Sequence, residues 1–238
     1  MEKFHGFLGT LMLKWVHQEQ GGNIMKPIIF ARIADMKYYK GITDIDSPEN
    51  GGAYVKDTGM AHECYNFDAV KDQEGNEFCL GFTMLMGNSK TKDSQLHIEK
   101  IVGCELYKKE EVVEGVTVVW VSKSQRSKTM RVVGFYKNAT VFREYQNADF
   151  DNGYVQAYNF VADKKDCVLL PYSERHSNSA WYVPASQKNG SSFGFGRSNI
   201  WYAGSNTSNE KEIQYVERIL DSIEHYQGEN WIERGGVQ

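Results

Sequence analysis

Trp120-Val-Ser-Lys-Ser-Gln-Arg-Ser-Lys-Thr-Met-Arg-Val-Val-Gly-Phe-Tyr-Lys-Asn-Ala-Thr-Val-Phe-Arg143 is the stretch on which the fold turns. Its β-branched and aromatic residues predict strands over 116–122, 129–136 and 139–145. The polar run from Lys123 to Arg131 reads as the tip of a hairpin that touches a nucleic-acid backbone. Lys137-Asn138 fits either a tight turn or a bulge that aims Asn138 at a partner. The stretch carries six basic residues and no acidic one, in a chain of net charge −4, so the remainder sums to −10. A basic stripe on an acidic protein is what a surface facing a polyanion requires. Trp120, Phe135, Tyr136, Asn138 and Phe142 lie inside the stripe. Trp120, Phe135 and Phe142 are expected in the core, and Tyr136 and Asn138 at a site.

Outward from this stretch, further strands are predicted at 28–33, 78–86, 96–102, 153–160 and 166–170. Many short strands with few helices predict an α+β fold: a small bent β-barrel with flanking helices and a ligand rim of loops. Residues 1–24 read as an N-terminal extension with a helical stripe over 3–18, closed by Gly21-Gly22-Asn23. The domain proper is assigned to 25–204. Residues 205–238 form a C-terminal amphipathic helix and tail, opened by a capping-box pattern at Thr207-Ser-Asn-Glu210 and ended near Gly228. Residues 185–198 read as a flexible Gly/Ser-rich loop of functional length.

At 238 residues and 41% hydrophobic content the chain can bury a full core, and a pI near 5.9 excludes a wholly electrostatic binder. Cys64, Cys79, Cys104 and Cys167 show no CxxC or zinc spacing, so free buried thiols are expected. The apolar run Gly6–Leu13 is far short of the ~20 residues that span a bilayer, and it lacks a cleavage site. A cytoplasmic protein without membrane association is the expectation.

Enzyme signatures are sparse. Asp163-Lys-Lys165 matches D-x-K, a pattern too common to carry weight. Tyr38-Tyr39-Lys40-Gly41-Ile42 matches one half of a GIY-YIG signature without the other. The His-x-Glu and Pro-Cys-x-x-Cys deaminase pattern is absent, and His62-Glu63 lacks HExxH spacing. Gly194-Phe-Gly196-Arg has neither the strand nor the helix of a dinucleotide fingerprint. No catalytic residue, metal or cofactor is assigned.

Three segments combine the groups that capture of a single base requires: aromatic faces to stack, amides to read an edge and cations to hold phosphates. They are Gly51–Phe67, with Tyr54, His62 and Glu63; Gly134–Arg143; and Gly196–Tyr202. His62 and Glu63 either shape the wall of a pocket or hold a loop in place.

Five quoted runs carry a family resemblance. Ile29-Phe-Ala-Arg-Ile-x-x-Met-Lys-Tyr-Tyr39, Gly51-Gly52-x-Tyr54, His62-Glu-x-Tyr-Asn-Phe67, Val132-Val-Gly-x-Tyr-Lys-Asn-Ala-Thr-Val141 and Ser198-Asn-Ile-Trp-Tyr202 together resemble the EVE-like N-terminal domains of modification-dependent restriction endonucleases. These belong to the PUA, ASCH and YTH group of small barrels. The resemblance covers roughly residues 25–203. It implies a module that flips a modified cytosine of duplex DNA into an aromatic pocket, in a restriction or defence context. Tyr136, Trp201 and Tyr202 would then stack, and Asn138 and Asn199 would read the base. Lys137, Arg143 and Arg197 would hold phosphates, with Lys128 and Arg131 on the backbone and Tyr54, His62 and Glu63 around the pocket. One helix follows Tyr202 where the family carries its nuclease, and the polar Gln187–Gly196 replaces a basic loop, so binding is carried over and cleavage is not. A nuclease partner or fused domain would supply cutting. The alternatives are a nuclease or base-processing site near His62 and Glu63, and a reader of modified RNA.

Overall fold

The computed structural model describes residues 25–48, 62–85, 95–124, 128–186, 191–205 and 209–235, together with a two-residue strand at Phe4–His5. The expected sites at Tyr54 and in the Gly51-Gly52 loop, most of the 1–24 extension, Thr207 and Ser208 of the capping pattern, and part of the 185–198 loop lie outside the described residues.

Ten strands form one mixed sheet. They are β1 (Phe4–His5), β2 (Ile28–Arg32), β3 (Ala69–Lys71), β4 (Glu77–Gly81) and β5 (Val112–Lys123), then β6 (Met130–Phe150), β7 (Val155–Asp163), β8 (Cys167–Leu169), β9 (Tyr182–Val183) and β10 (Ile200–Trp201). The main path runs β10-β2-β5-β6-β7-β4-β3, while β1, β8 and β9 pair with β6. Only β2 and β5 run parallel in this network. The expectation of mostly strands with few helices holds. The expected barrel does not form: β10 and β3 end the path without pairing to each other, so the sheet is bent but not closed. Each end strand is only two or three residues long, too short a ladder to zip the edges together.

The two strands expected over 129–136 and 139–145 are one 21-residue strand, β6. Of the two readings of Lys137-Asn138, the bulge is what forms. Val118 faces Tyr136 and Val116 faces Ala139, so β6 holds one residue more than β5 between these pairs. Asn138 takes up the excess in the left-handed region, φ 50°, a conformation its short amide tolerates. On β5 a second bulge falls at Glu114-Gly115, where Gly115 has φ 73°. Bulges strengthen local twist, and they let β6 bend from a pairing with β5 into one with β7.

Both faces of the sheet are covered, so its strands read as continuous apolar runs. Ala31, Val118, Trp120, Tyr136 and Phe160 join the core on one face. Phe30, Val119, Val121 and Phe135 join the core on the other. The second core is roofed by α2 (Glu210–Glu224), whose Val216, Ile219 and Ile223 are buried at helical spacing. Its N-cap is Asn209, whose side chain accepts from the Glu212 amide, and it ends at Glu224, short of Gly228. A short α1 (Tyr172–Ser177) was not anticipated.

The strand expected at 96–102 is a 3-10 turn over Ile98–Lys100. Ile98 and Ile101 stand three apart and both reach the core, which a turn of three residues per revolution allows and an alternating strand does not. Phe4–His5, expected in a helix, pairs as a strand with Phe150 and Asp149. All four cysteines are free and buried, as expected, and burial pushes the Cys64 and Cys104 thiols up to about 12.

Gly134 pairs with Leu169 where β6 meets β8. A Cβ there would stand 2.4 Å from the Val168 carbonyl oxygen and 2.5 Å from the Phe67 ring. Gly134→Ala is therefore expected to lose about 1–3 kcal/mol in urea unfolding. Parental stability in that variant would contradict this packing.

Candidate functional site

The residues assigned to a site separate into three groups once folded. The first is structural. Tyr136 is fully buried against Trp120 and Phe67, and its hydroxyl donates to the Asn66 carbonyl. It faces the core opposite to that of Phe135, so no ring face is left for stacking. Trp201 packs on Phe30 at 4.7 Å and beside Phe195 and Tyr215. The Tyr202 hydroxyl accepts from the His97 amide at 2.8 Å, and burial pushes its phenol up to about 12.

Arg143 was expected on phosphate and is instead a buried bracket. Its guanidinium donates to the carbonyls of Leu96, Tyr107, Lys108 and Glu110, and pairs with Glu99 at 2.9 Å. A run ending in Arg looks basic in sequence, but this cation is consumed in tying the 96–110 segment to β6.

His62 and Glu63 each engage another part of the chain. His62 Nδ1 accepts from the Ala157 amide at 3.3 Å, which places the ring proton on Nε2, and burial lowers its pKa. Glu63 is engaged elsewhere: a backbone hydrogen bond at Ala34 lowers its pKa, but burial dominates and pushes the carboxyl up to about 7. The two side chains thus answer to different elements. The D-x-K residues are also occupied, with Lys165 on Asp163 at 2.8 Å, and Lys164 on Glu77 and Glu233. No cluster of metal-ligating side chains occurs among the described residues.

The second group, exposed Asn138 and half-buried Lys137, stands apart. Asn138 points to solvent at the bulge, and Lys137 lies 6.0 Å from the Phe135 ring centroid on the α2 side. Asn138 is eight positions along the strand from Met130, up to about 26 Å when extended.

The third group converges. A cavity of about 560 Å³ opens where the β5–β6 hairpin meets β9 and the 193–197 loop. Arg32, Lys123, Lys128 and Arg197 line it with no carboxylate among the described residues, beside the nearly buried Met130, Val183 and Phe195. Arg131 lies at its border, 5.5 Å from the ring centroid of Tyr182. Lys128 adopts φ 56° at the hairpin tip, its amide donating to the Ser124 carbonyl at 2.9 Å. Asn199 contributes indirectly: its Oδ1 accepts from Arg32 Nε at 3.0 Å and Nη2 at 2.7 Å, while its Nδ2 donates to the Met84 carbonyl.

Arg32 was quoted in the sequence but not assigned a role. Nη2 also donates to the Arg197 carbonyl at 3.1 Å, and Nη1 has no partner among the described residues. Its neighbours are neutral acceptors, and partial burial lowers its pKa from the ordinary guanidinium value. The available signal was a cation inside the otherwise apolar run Ile28–Ile33.

No family model, no curated protein and no solved structure matches the chain. Among the described residues, no helix is long and apolar enough to cross a membrane.

Two outcomes follow from this sorting. Arg143→Ala should lose about 3 kcal/mol or more in chemical denaturation, since it strands Glu99 and four carbonyls. A loss under 1 kcal/mol would contradict the bracket. For Glu63, a folded pKa of about 7 stands above the ordinary 4.5, so its protonated form stabilises the fold. That contribution is complete below pH 4.5 and is lost as pH rises through about 7. Wild-type Tm should accordingly fall between pH 5 and 8 more steeply than that of Glu63→Gln; parallel profiles would contradict it.

Proposed function

We propose that the chain is a nucleic-acid-binding module that reads a modified cytosine in duplex DNA. The observation supporting contact with a polyanion is the cavity rimmed by Arg32, Lys123, Lys128 and Arg197 with no acidic residue among the described residues. In a protein of net charge −4 such a patch favours anions locally while the rest of the surface repels them. Arg32 adds directional donors to that charge, and phosphate is the group such donors suit.

Modified cytosine and a restriction or defence setting come from the resemblance to EVE-like domains. A mixed bent sheet with few helices is compatible with that relation; the finer PUA-like assignment is part of the proposal. Lys128, Arg131 and Arg197 are the backbone contacts in this reading, and Asn199 acts by orienting Arg32. Tyr136 and Arg143 are left out as structural, and Trp201 and Tyr202 as packing residues.

Binding to a 5-methylcytosine duplex and its unmodified counterpart, followed over a salt series, tests the reading. Affinity should be higher for the methylated duplex and should fall steeply with salt. Lys128→Gln and Arg197→Gln should each flatten the salt dependence by about one unit of slope. Equal affinity for the two duplexes would remove the modified-base part, and no salt dependence would remove the polyanion part.

A further inference from the structure

Four cations face one cavity of about 560 Å³ from three parts of the chain. Arg32 comes from β2, Lys123 and Lys128 from the β5–β6 hairpin, and Arg197 from the loop after Phe195. Met130, Val183 and Phe195 beside them are nearly buried, so charge and not apolar surface singles the cavity out. Arg32 is held in one orientation. Asn199 Oδ1 accepts from Nε and Nη2, the Arg197 carbonyl accepts from Nη2, and Nη1 has no partner among the described residues. Lys128 and Arg197 are exposed, and neither pairs with a carboxylate among the described residues.

A passing DNA backbone uses little of this arrangement. A phosphodiester carries one charge and two free oxygens, and the strand continues on both sides of it. A phosphate monoester carries about −1.5 to −2 charges at neutral pH, offers three acceptor oxygens and has a chain on one side only. Cations that converge on a concave site from three parts of the chain suit the second group. It enters end-on, and its extra charge offsets the repulsion among the cations. We propose that the cavity seats a terminal phosphate monoester, the group that ends a cut DNA strand. This rests on the nucleic-acid reading and specifies the part of the molecule held here: a strand end rather than a length of backbone. Arg32 supplies the directed donor, and Lys128 and Arg197 supply the surrounding charge.

Fluorescence anisotropy with one 5-methylcytosine duplex, ended in 5′-phosphate, 3′-phosphate or hydroxyl groups, tests the seat. Phosphate at one of the two kinds of end should raise affinity about tenfold over the hydroxyl-ended duplex. Arg32→Gln should abolish that difference. Lys128→Gln and Arg197→Gln, at exposed positions that do not bear on folding, should each reduce it about threefold. Glycerol 3-phosphate, a monoester without a base, should displace the phosphate-ended duplex, and dimethyl phosphate at the same concentration should not. Equal affinity for the three duplexes would overturn the proposal; if that affinity still fell with Arg32→Gln, the cavity would be a backbone contact and the DNA reading would stand. Dimethyl phosphate competing as well as glycerol 3-phosphate would also overturn it. Calorimetric binding of glycerol 3-phosphate that Arg32→Gln removes, with no binding of any duplex, would support the seat and defeat the DNA reading.

Discussion

The pairing of β6 constrains everything else in this molecule. Over 21 residues it pairs with β5 and then β1 on one edge and with β9, β8 and β7 in turn on the other. A strand so occupied cannot offer its middle to a ligand: side chains such as Phe135 and Tyr136 alternate into two separate cores. Two places along it are open to solvent or thinly covered. One is the bulge at Asn138. The other is the Met130 end, where only a two-residue β9 and the 193–197 loop cover the strand. The second site has volume and charge together, and so it is the candidate.

Charge by itself does not identify a binding cation here; what each cation already holds does. Arg143 and Arg175 are both buried, and their donors are spent on backbone carbonyls, with Arg175 clamping Met36, Lys37 and Leu170. They tie loops to the sheet. Arg32 is only half committed, held in plane by one amide and one carbonyl with an end left over. Lys128 and Arg197 are exposed and have no carboxylate partner among the described residues. This ordering, from spent to available, separates Arg143 from Lys128 although both belong to one basic stripe of the sequence.

Much of the architecture was legible because local signals agreed with the final pairing. The apolar run at Ile28–Ile33, the β-branched residues of β5 and the helical spacing of Ile213, Val216, Ile219 and Ile223 each gave an element of the right type. Closure of the sheet was not legible, since it depends on whether short edge strands meet in space. Leu96, Ile98 and Ile101 misled because a short buried segment satisfies strand and 3-10 patterns equally. The candidate site was legible in part. Lys128 and Arg197 line one cavity, but Tyr136 and Arg143 were assigned by residue type, and type does not report which core or which carbonyls a side chain meets. Arg32 was missed for the converse reason: its role arises from Asn199 and the Arg197 carbonyl, both more than 160 residues away in sequence.

Hydrogen–deuterium exchange of the protein with and without a 5-methylcytosine duplex addresses the central claim most directly, because it locates contact without altering the chain. The account predicts slowed exchange in peptides covering 128–131 and 193–199, with 62–67 unchanged. Protection centred on 62–67 or on Asn138, with the cavity peptides unaffected, would contradict it.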